Sequence, residues 1–301
     1  MFPLSLSSMK IEIDAHSGFC FGVERAVKMA EEALLQPGEM YCLGEIVHNQ
    51  HETNRLKELG LRQATHSDFG SLAGKRVLFR AHGEPPESYA AIRQCEIKLV
   101  DATCPVVRKL HQRVKKAFEE NASVQIVIFG KPDHPEMVGL LGQTGNKAIV
   151  VNGDFSGFEK IDFSKKIILF SQTTQSLEGF HELVALIKKQ ISQNKLNPGQ
   201  MIVVNDTICR QVSRRGPALK VFAAGHDVII FVSGSGSSNG RYLSGLCKAE
   251  NKNTYMVSDP SQLRKEWFEG AKSAGISGAT STPHWQLKNM AEAIHTLMGG
   301  A

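Results

Sequence analysis

No C-x-x-C pair occurs in the 301 residues, no run of five lysines or arginines, and no apolar stretch of the roughly 18–20 residues a membrane helix needs. Each lack excludes a class. Six cysteines without paired spacing give neither a disulfide framework nor a zinc finger. A formal charge of +5, spread along the chain, is too weak for a nucleic-acid footprint and suits a small anionic substrate at least as well. The opening stretch MFPLSLSSMKIEI has one late lysine, no long apolar core and no small-residue cleavage pattern, so it is not read as a secretory signal. Low-complexity tracts are also missing. The expectation is a soluble, cytoplasmic chain with neither a membrane nor a nucleic acid as partner. Its 42% apolar content is enough for two or three compact cores.

What is present is a repeating strand, turn and helix. MYCLG leads into EIVHNQHETNRLKELG, KRVLFRAHG into EPPESYAAIRQCE, and VQIVIFGKPDHPE into MVGLLGQTGN. Later, KIILFSQTTQ leads into SLEGFHELVALIKKQ, DVIIFVSGSGSSNG into RYLSGLCKAEN, and AGISGATSTP into HWQLKNMAEAIHTL. Short Val/Ile-rich runs alternating with helices of about 10–15 residues predict βαβ units and parallel sheets. The expected fold class is α/β: three similar α/β domains with mainly parallel sheets around a pseudo-threefold axis. Their expected bounds are 1–104, 105–205 and 206–301, with a cysteine turn opening each repeat.

Cys20, Cys104 and Cys209 each follow a strand-like run and precede a helix-like one, at intervals of 84 and 105 residues. Thiols delivered from three equivalent turns would converge on one point. Three thiolates rather than four leave a coordination position open, which suits a reactive centre more than a structural staple. Cys42, Cys95 and Cys247 lie inside periodic segments and are expected to be small buried hydrophobes.

Ligands of open α/β sheets bind beyond the carboxyl ends of the strands, and the turns there are unusually polar in this chain. His48 and Asn49 fall in EIVHN, His82 in FRAHG, His134 and Glu136 in KPDHPE, and Gln172, Thr173 and Thr174 in FSQTT. Ser237, Ser238 and Asn239 fill SGSSNG, and Ser281 and Thr282 precede Pro283 in ATSTP. Imidazoles, hydroxyls and helix N-terminal N–H groups are the natural ligands of a phosphate or diphosphate. GSGSSNG also resembles a nucleotide-binding glycine loop, with Asp259 as the acidic residue of a dinucleotide fold. Asn239 stands where that motif wants its third glycine, so an anion cradle is the better reading. In ATSTP, Ser281 or Thr282 is expected to cap a helix that has Pro283 at its first position. Glu136, beside His134, would have a raised pKa if buried and could hold and deliver a proton; a solvated glutamate at a helix start is the plainer alternative.

Two metal readings stay open on the residues alone. A zinc hydrolase would complete its shell with a histidine. An iron–sulfur cluster on three thiolates would leave one iron free to bind substrate oxygen and pass electrons to it. A non-catalytic iron–sulfur sensor explains the cysteines but not the polar turns.

The stretches GFCFGVERAV, EIVHN, AHG, DATCPVV, HPE, SQTT, DTIC, SSN and the Ser281–Pro283 turn, in this order from about residue 16 to 285, resemble the 4-hydroxy-3-methylbut-2-enyl diphosphate reductase family. That family holds the last enzymes of the methylerythritol phosphate isoprenoid pathway. The resemblance implies a three-domain α/β protein with a central [4Fe–4S] cluster on Cys20, Cys104 and Cys209. It implies substrate contacts from His48, His82, His134, Thr173, Ser237, Ser238, Asn239 and Ser281. It makes Glu136 and Thr173 the proton relay, with His134 among the catalytic residues. The partners it implies are an allylic diphosphate and an electron-donor protein of ferredoxin or flavodoxin type. One departure stands out: many members continue C-x-x-T-x-x-R-Q after the third cysteine. Here Val212 and Gly216 replace the threonine and the glutamine, while Arg215 matches.

Overall fold

The computed structural model describes residues 9–120, 123–234 and 236–299, with the side chain of Ser238 outside that description. The first third holds β1 (Lys10–Ile13), α1 (Phe21–Leu34), β2 (Met40–Leu43), α2 (Gln50–Glu58), β3 (Leu61–Ala64), β4 (Arg76–Phe79), α3 (Pro86–Gln94) and β5 (Lys98–Asp101). There follow α4 (Pro105–Glu119), β6 (Gln125–Phe129), α5 (Pro135–Gly142), β7 (Ile149–Val151), β8 (Ile167–Ser171), α6 (Leu177–Gln193), α7 (Pro198–Met201) and β9 (Ile202–Val204). The last third holds α8 (Arg210–Ala224), β10 (Val228–Val232), α9 (Ser238–Glu250), β11 (Thr254–Val257), β12 (Ser273–Gly278) and α10 (His284–Leu297).

These strands form three four-stranded sheets, ordered β3-β2-β4-β5, β7-β6-β8-β9 and β1-β12-β10-β11. All pairings among the described residues are parallel. Central strands such as β8 (IILFS) and β10 (VIIFV) are buried at every position, which is why they read as unbroken apolar runs rather than alternating ones. Helices cover them with apolar stripes. Phe180, Leu183, Ile187 and Ile191 of α6 pack on Val127, Phe129 and Leu169, and Leu287, Met290 and Ile294 of α10 pack on Ile230 and Ile276. None of the described helices is long and apolar enough to cross a membrane.

The three sheets share one connectivity. With strands numbered by order of use, each reads 2-1-3-4, provided β1 is counted as the fourth strand of the sheet begun by β10. Here the structure differs from the division at 104 and 205. Lys10–Ile13, expected in the first segment, pairs with Ser273–Ile276 and completes the third sheet. The cysteine turns therefore close each repeat rather than open it: Cys104 follows β5, Cys209 follows β9 and Cys20 follows β1, always the fourth strand. By packing, the chain divides into two compact units. The first gathers the described residues of Met1–Glu24, Val47–Glu58 and Arg214–Ala301; the second gathers Arg25–Ile46 and Leu59–Ser213, with two of the sheets.

Candidate active site

The 2-1-3-4 repeat sorts the functional turns. After the first strand of each sheet come His48 (β2), His134 and Glu136 (β6), and Ser237 to Asn239 (β10). After the third come His82 (β4), Thr173 (β8) and Ser281 (β12), and after the fourth come the cysteines. The turns after the second strands, β3, β7 and β11, carry none of the candidate substrate or metal ligands; Asp259, the acid of the dinucleotide alternative, follows β11. The equivalence extends to single hydrogen bonds. Each cysteine N–H donates to a carbonyl in the turn after the third strand: Cys104 to Ala81 (3.0 Å), Cys209 to Thr173 (2.8 Å) and Cys20 to Thr280 (3.4 Å).

Unit one brings His48, Ser237, Asn239, Ser281 and Cys20 into one set of linked turns. Asn49, next to His48, donates from Nδ2 to Gln286 Oε1 at 2.9 Å, and its Oδ1 accepts the Glu52 N–H at 3.1 Å. Buried Glu52 accepts the Trp285 indole N–H at 2.8 Å and pairs with Arg55, so the His48 turn is fastened to the start of α10. Ser237 caps α9, accepting the Gly240 N–H at 3.0 Å, and Asn239 Oδ1 accepts from the N–H and hydroxyl of Thr280 at 3.1 and 3.0 Å. Ser281 Oγ is buried and has no partner among the described residues. An orphaned hydroxyl at the mouth of a strand is what an anion would satisfy. The helix cap expected from Ser281 or Thr282 does not form. Pro283 itself is the N-cap residue of α10, and Thr282 donates instead to the Val232 carbonyl at 2.8 Å, holding the turn on β10.

Unit two brings together His82, His134, Glu136, Thr173, Cys104 and Cys209. The His82 and His134 rings meet edge to face with centroids 5.3 Å apart. His134 is the N-cap of α5, its Nδ1 accepting the Glu136 N–H at 3.2 Å. Glu136 is not solvated: it is 1% exposed. Thr173 donates its N–H to Oε1 at 2.8 Å and its hydroxyl to Oε2 at 2.7 Å. Burial pushes the Glu136 carboxyl up to about 7, against the opposing pull of these two hydrogen bonds. The group can thus carry or release a proton near neutrality. Gln172 is structural: its Oε1 accepts the Lys131 N–H at 2.9 Å and ties the β6 turn to the β8 turn, while its amide nitrogen donates to Thr174 at 3.0 Å.

No cysteine among the described residues is in a disulfide. Cys42 and Cys247 are buried, and burial pushes both thiols up to about 12, so neither is a ready thiolate. Cys20, Cys104 and Cys209 are half-buried and stand immediately before α1, α4 and α8. Their carbonyls accept the first-turn N–H groups of Glu24 (2.9 Å), Arg108 (2.8 Å) and Ser213 (2.9 Å). Sulfur from three cysteines is the ligand an iron–sulfur cluster takes, so the chemistry of this donor set fits one. Among the described residues no three His, Cys, Asp or Glu side chains already enclose a metal position.

The LytB protein family model matches residues 11–295. The chain belongs to the LytB family. It is 47% identical over 288 residues to the 4-hydroxy-3-methylbut-2-enyl diphosphate reductase of Bacteroides fragilis, covering 95% of this chain and 97% of that one. The Chloroherpeton thalassium protein of the same name is 43% identical over 305 residues, covering 95% and 96%. A solved structure of (E)-4-hydroxy-3-methyl-but-2-enyl diphosphate reductase, described as the terminal enzyme of the non-mevalonate pathway, superposes with TM-score 0.73 at 37% identity. That match covers 96% of this chain and all of that one. The Plasmodium falciparum reductase structure, at 23% identity and TM-score 0.81, shares the fold, over 96% of this chain and 88% of that one.

One residue of this LytB-family chain, Arg215, was not anticipated as part of the site's frame. Arg215, 6% exposed, donates to the Gly18 carbonyl at 3.1 Å and to the Gly278 carbonyl, clamping the Cys20 turn to the end of β12. Its match to the family motif was the available signal. At Gly216, the departure beside it, a Cβ would stand 3.2 Å from Leu246 Cδ1 of α9, a tight contact that a larger side chain would have to displace. Val212 is half-buried and donates its N–H to the Cys209 carbonyl at 3.0 Å; nothing else in the structure explains its choice. The dinucleotide alternative loses its acid, because Asp259 caps the 260–262 turn by accepting the Ser261 N–H at 2.8 Å.

Proposed function

We propose that this chain reductively removes the hydroxyl of (E)-4-hydroxy-3-methylbut-2-enyl diphosphate, giving isopentenyl and dimethylallyl diphosphate, as an iron–sulfur oxidoreductase. The observation that carries the reading is Glu136, a buried carboxyl poised near neutrality and gripped by Thr173, in the turn beside the His82–His134 pair of a LytB-family chain. Cys20, Cys104 and Cys209 would hold a [4Fe–4S] cluster, which when bound supplies electrons and a Lewis-acidic iron. The residues of the chain do the rest. His48, His82 and His134, the Ser237 and Ser281 hydroxyls and the Asn239 amide hold the diphosphate; Ser238 is implied for the same role by the family resemblance, and its side chain lies outside the described residues. The free Ser281 Oγ and the N-terminus of α9 favour its negative charge. Glu136 keeps a proton on its carboxyl and passes it on through its Thr173 contact, so the departing hydroxyl leaves as water. Two electrons and two protons balance the reaction. The electrons come from a small ferredoxin- or flavodoxin-type donor, in the cytoplasm.

Anaerobic protein mixed with the allylic diphosphate and a chemical reductant is expected to form both isoprenoid diphosphates. The protein itself is expected to be brown and oxygen-sensitive. A colourless protein carrying stoichiometric zinc, or one hydrolysing phosphate esters without any electron donor, would overturn this assignment.

A further inference from the structure

Among the buried titratable groups outside this chemistry is a histidine of α4. His111 sits mid-way along α4, on the face that also buries Val107, Leu110 and Val114, and is 7% exposed. Its ring reaches two backbone segments, at Gly83 and at Gly139. A Cβ on Gly83, the residue after His82, would stand 2.7 Å from His111 Cε1. A Cβ on Gly139, one helical turn after Glu136, would stand 2.7 Å from the same atom and 3.0 Å from Nε2. At both positions a side chain would collide with the imidazole. Gly83 also has φ +73°, which disfavours side chains on its own account, whereas Gly139 lies inside α5, where glycine weakens a helix by about 1 kcal/mol relative to alanine. That sacrifice is explained by the ring. The Gly83 carbonyl lies 3.3 Å from the missing Gly139 Cβ, and a Cβ on Gly142 would meet Pro85 at 2.3 Å, so α5 and the 83–86 loop pack almost backbone to backbone around His111.

The nitrogens show why the ring is held and not titrated. Gln143 Nε2 lies 3.4 Å from Nδ1 and donates to it, which leaves the proton on Nε2, and Nε2 is buried with no partner among the described residues. Burial pushes the His111 imidazole down to about 4. A neutral ring with an unmet N–H is there for its shape.

We propose that His111 is a positioning residue, a wedge from the Cys104 helix that fixes the His82 turn against α5 and so sets His82, His134 and Glu136 in register. The role presumes the diphosphate-reductase reading above, and two readouts keep the two claims apart. His111→Ala, His111→Phe, Gly139→Ala and the double variant His111→Ala/Gly139→Ala would be compared with the parent protein. Turnover of the allylic diphosphate would be followed for kcat and KM, and binding of inorganic diphosphate by calorimetry. His111→Ala and Gly139→Ala are each expected to lose on the order of tenfold or more in kcat, as small misplacements of reacting groups do, with weaker diphosphate binding. His111→Phe should retain most of both, and the double variant should recover part of the loss, because the new methyl enters the vacated space. The proposal fails if His111→Ala lowers only the melting temperature, if phenylalanine is as damaging as alanine, or if the double variant is merely additive. A parent protein that binds inorganic diphosphate yet leaves the substrate unreduced would sink the functional reading, while the calorimetric comparison still judges the wedge.

Discussion

At the scale of single residues, Glu136 joins stability to chemistry. Its folded-state pKa, about 7, lies above the ordinary 4.5, so the folded protein holds a proton that the unfolded chain gives up. The stability from that proton is fully present below about 4.5 and is lost as pH rises towards 7, an effect of at most about 3 kcal/mol. Glu136→Gln removes the titration and keeps the shape. Its melting temperature is expected to gain on the parent's between pH 5 and pH 8, while turnover falls by about 10²–10⁴. Normal turnover by this variant, or a pH-independent difference in melting, would contradict the assignment. The parent's rate should also decline above about pH 7 as the donor ionises. The position and neighbour of Glu136 were legible in the sequence, since HPE follows an apolar strand. Its burial was not, because the Thr173 grip comes from 37 residues away. His111 was illegible for a similar reason: nothing in PVVRKLHQRV says that two distant glycines leave room for its ring.

At the scale of elements, the strands and helices were readable from period and composition, and the turn chemistry only in part. Two serines at helix starts illustrate the limit. Ser237 and Ser281 both look like caps, yet Ser237 accepts the Gly240 N–H while Ser281 Oγ meets nothing among the described residues. The two substitutions should therefore separate. Ser237→Ala is expected to cost about 1 kcal/mol through the lost cap, lowering the melting temperature as well as diphosphate affinity. Ser281→Ala removes a buried, unsatisfied hydroxyl, so stability should hold or rise while KM for the diphosphate increases. Melting and steady-state kinetics on the two variants decide it; a destabilised Ser281→Ala with unchanged KM would make that serine structural. Polyproline geometry defeated the cap expectation at 281–283: with Pro283 extended at φ −71° and ψ 151°, the hydroxyl before it is turned away from the first turn of α10.

At the scale of the whole molecule, the repeat is more regular than the sequence suggested and is cut at a different place. Three cysteine turns signalled three equivalent segments, and the N–H bonds from Cys20, Cys104 and Cys209 to third-strand turns bear out the equivalence. What no local pattern could carry was the register Lys10↔Ser273, a parallel pairing between opposite ends of the chain. Its consequence is testable. The strand KIEI is an edge whose loss should unpair β12 on one side and release the Asp14–Ser277 hydrogen bond (2.8 Å) that anchors the stretch leading to Cys20. In a variant lacking residues 1–13, hydrogen exchange is expected to accelerate at Ser273–Gly278 while β6 and β8, in a sheet that does not include β1, keep their protection. Uniform acceleration would mean that the sheets unfold as one cooperative body, and unchanged exchange at β12 would mean that β1 adds nothing to it. The expected result would make the N-terminus the closing strand of the last repeat, so that Cys20, first in sequence, is last in the order in which the three repeats are completed.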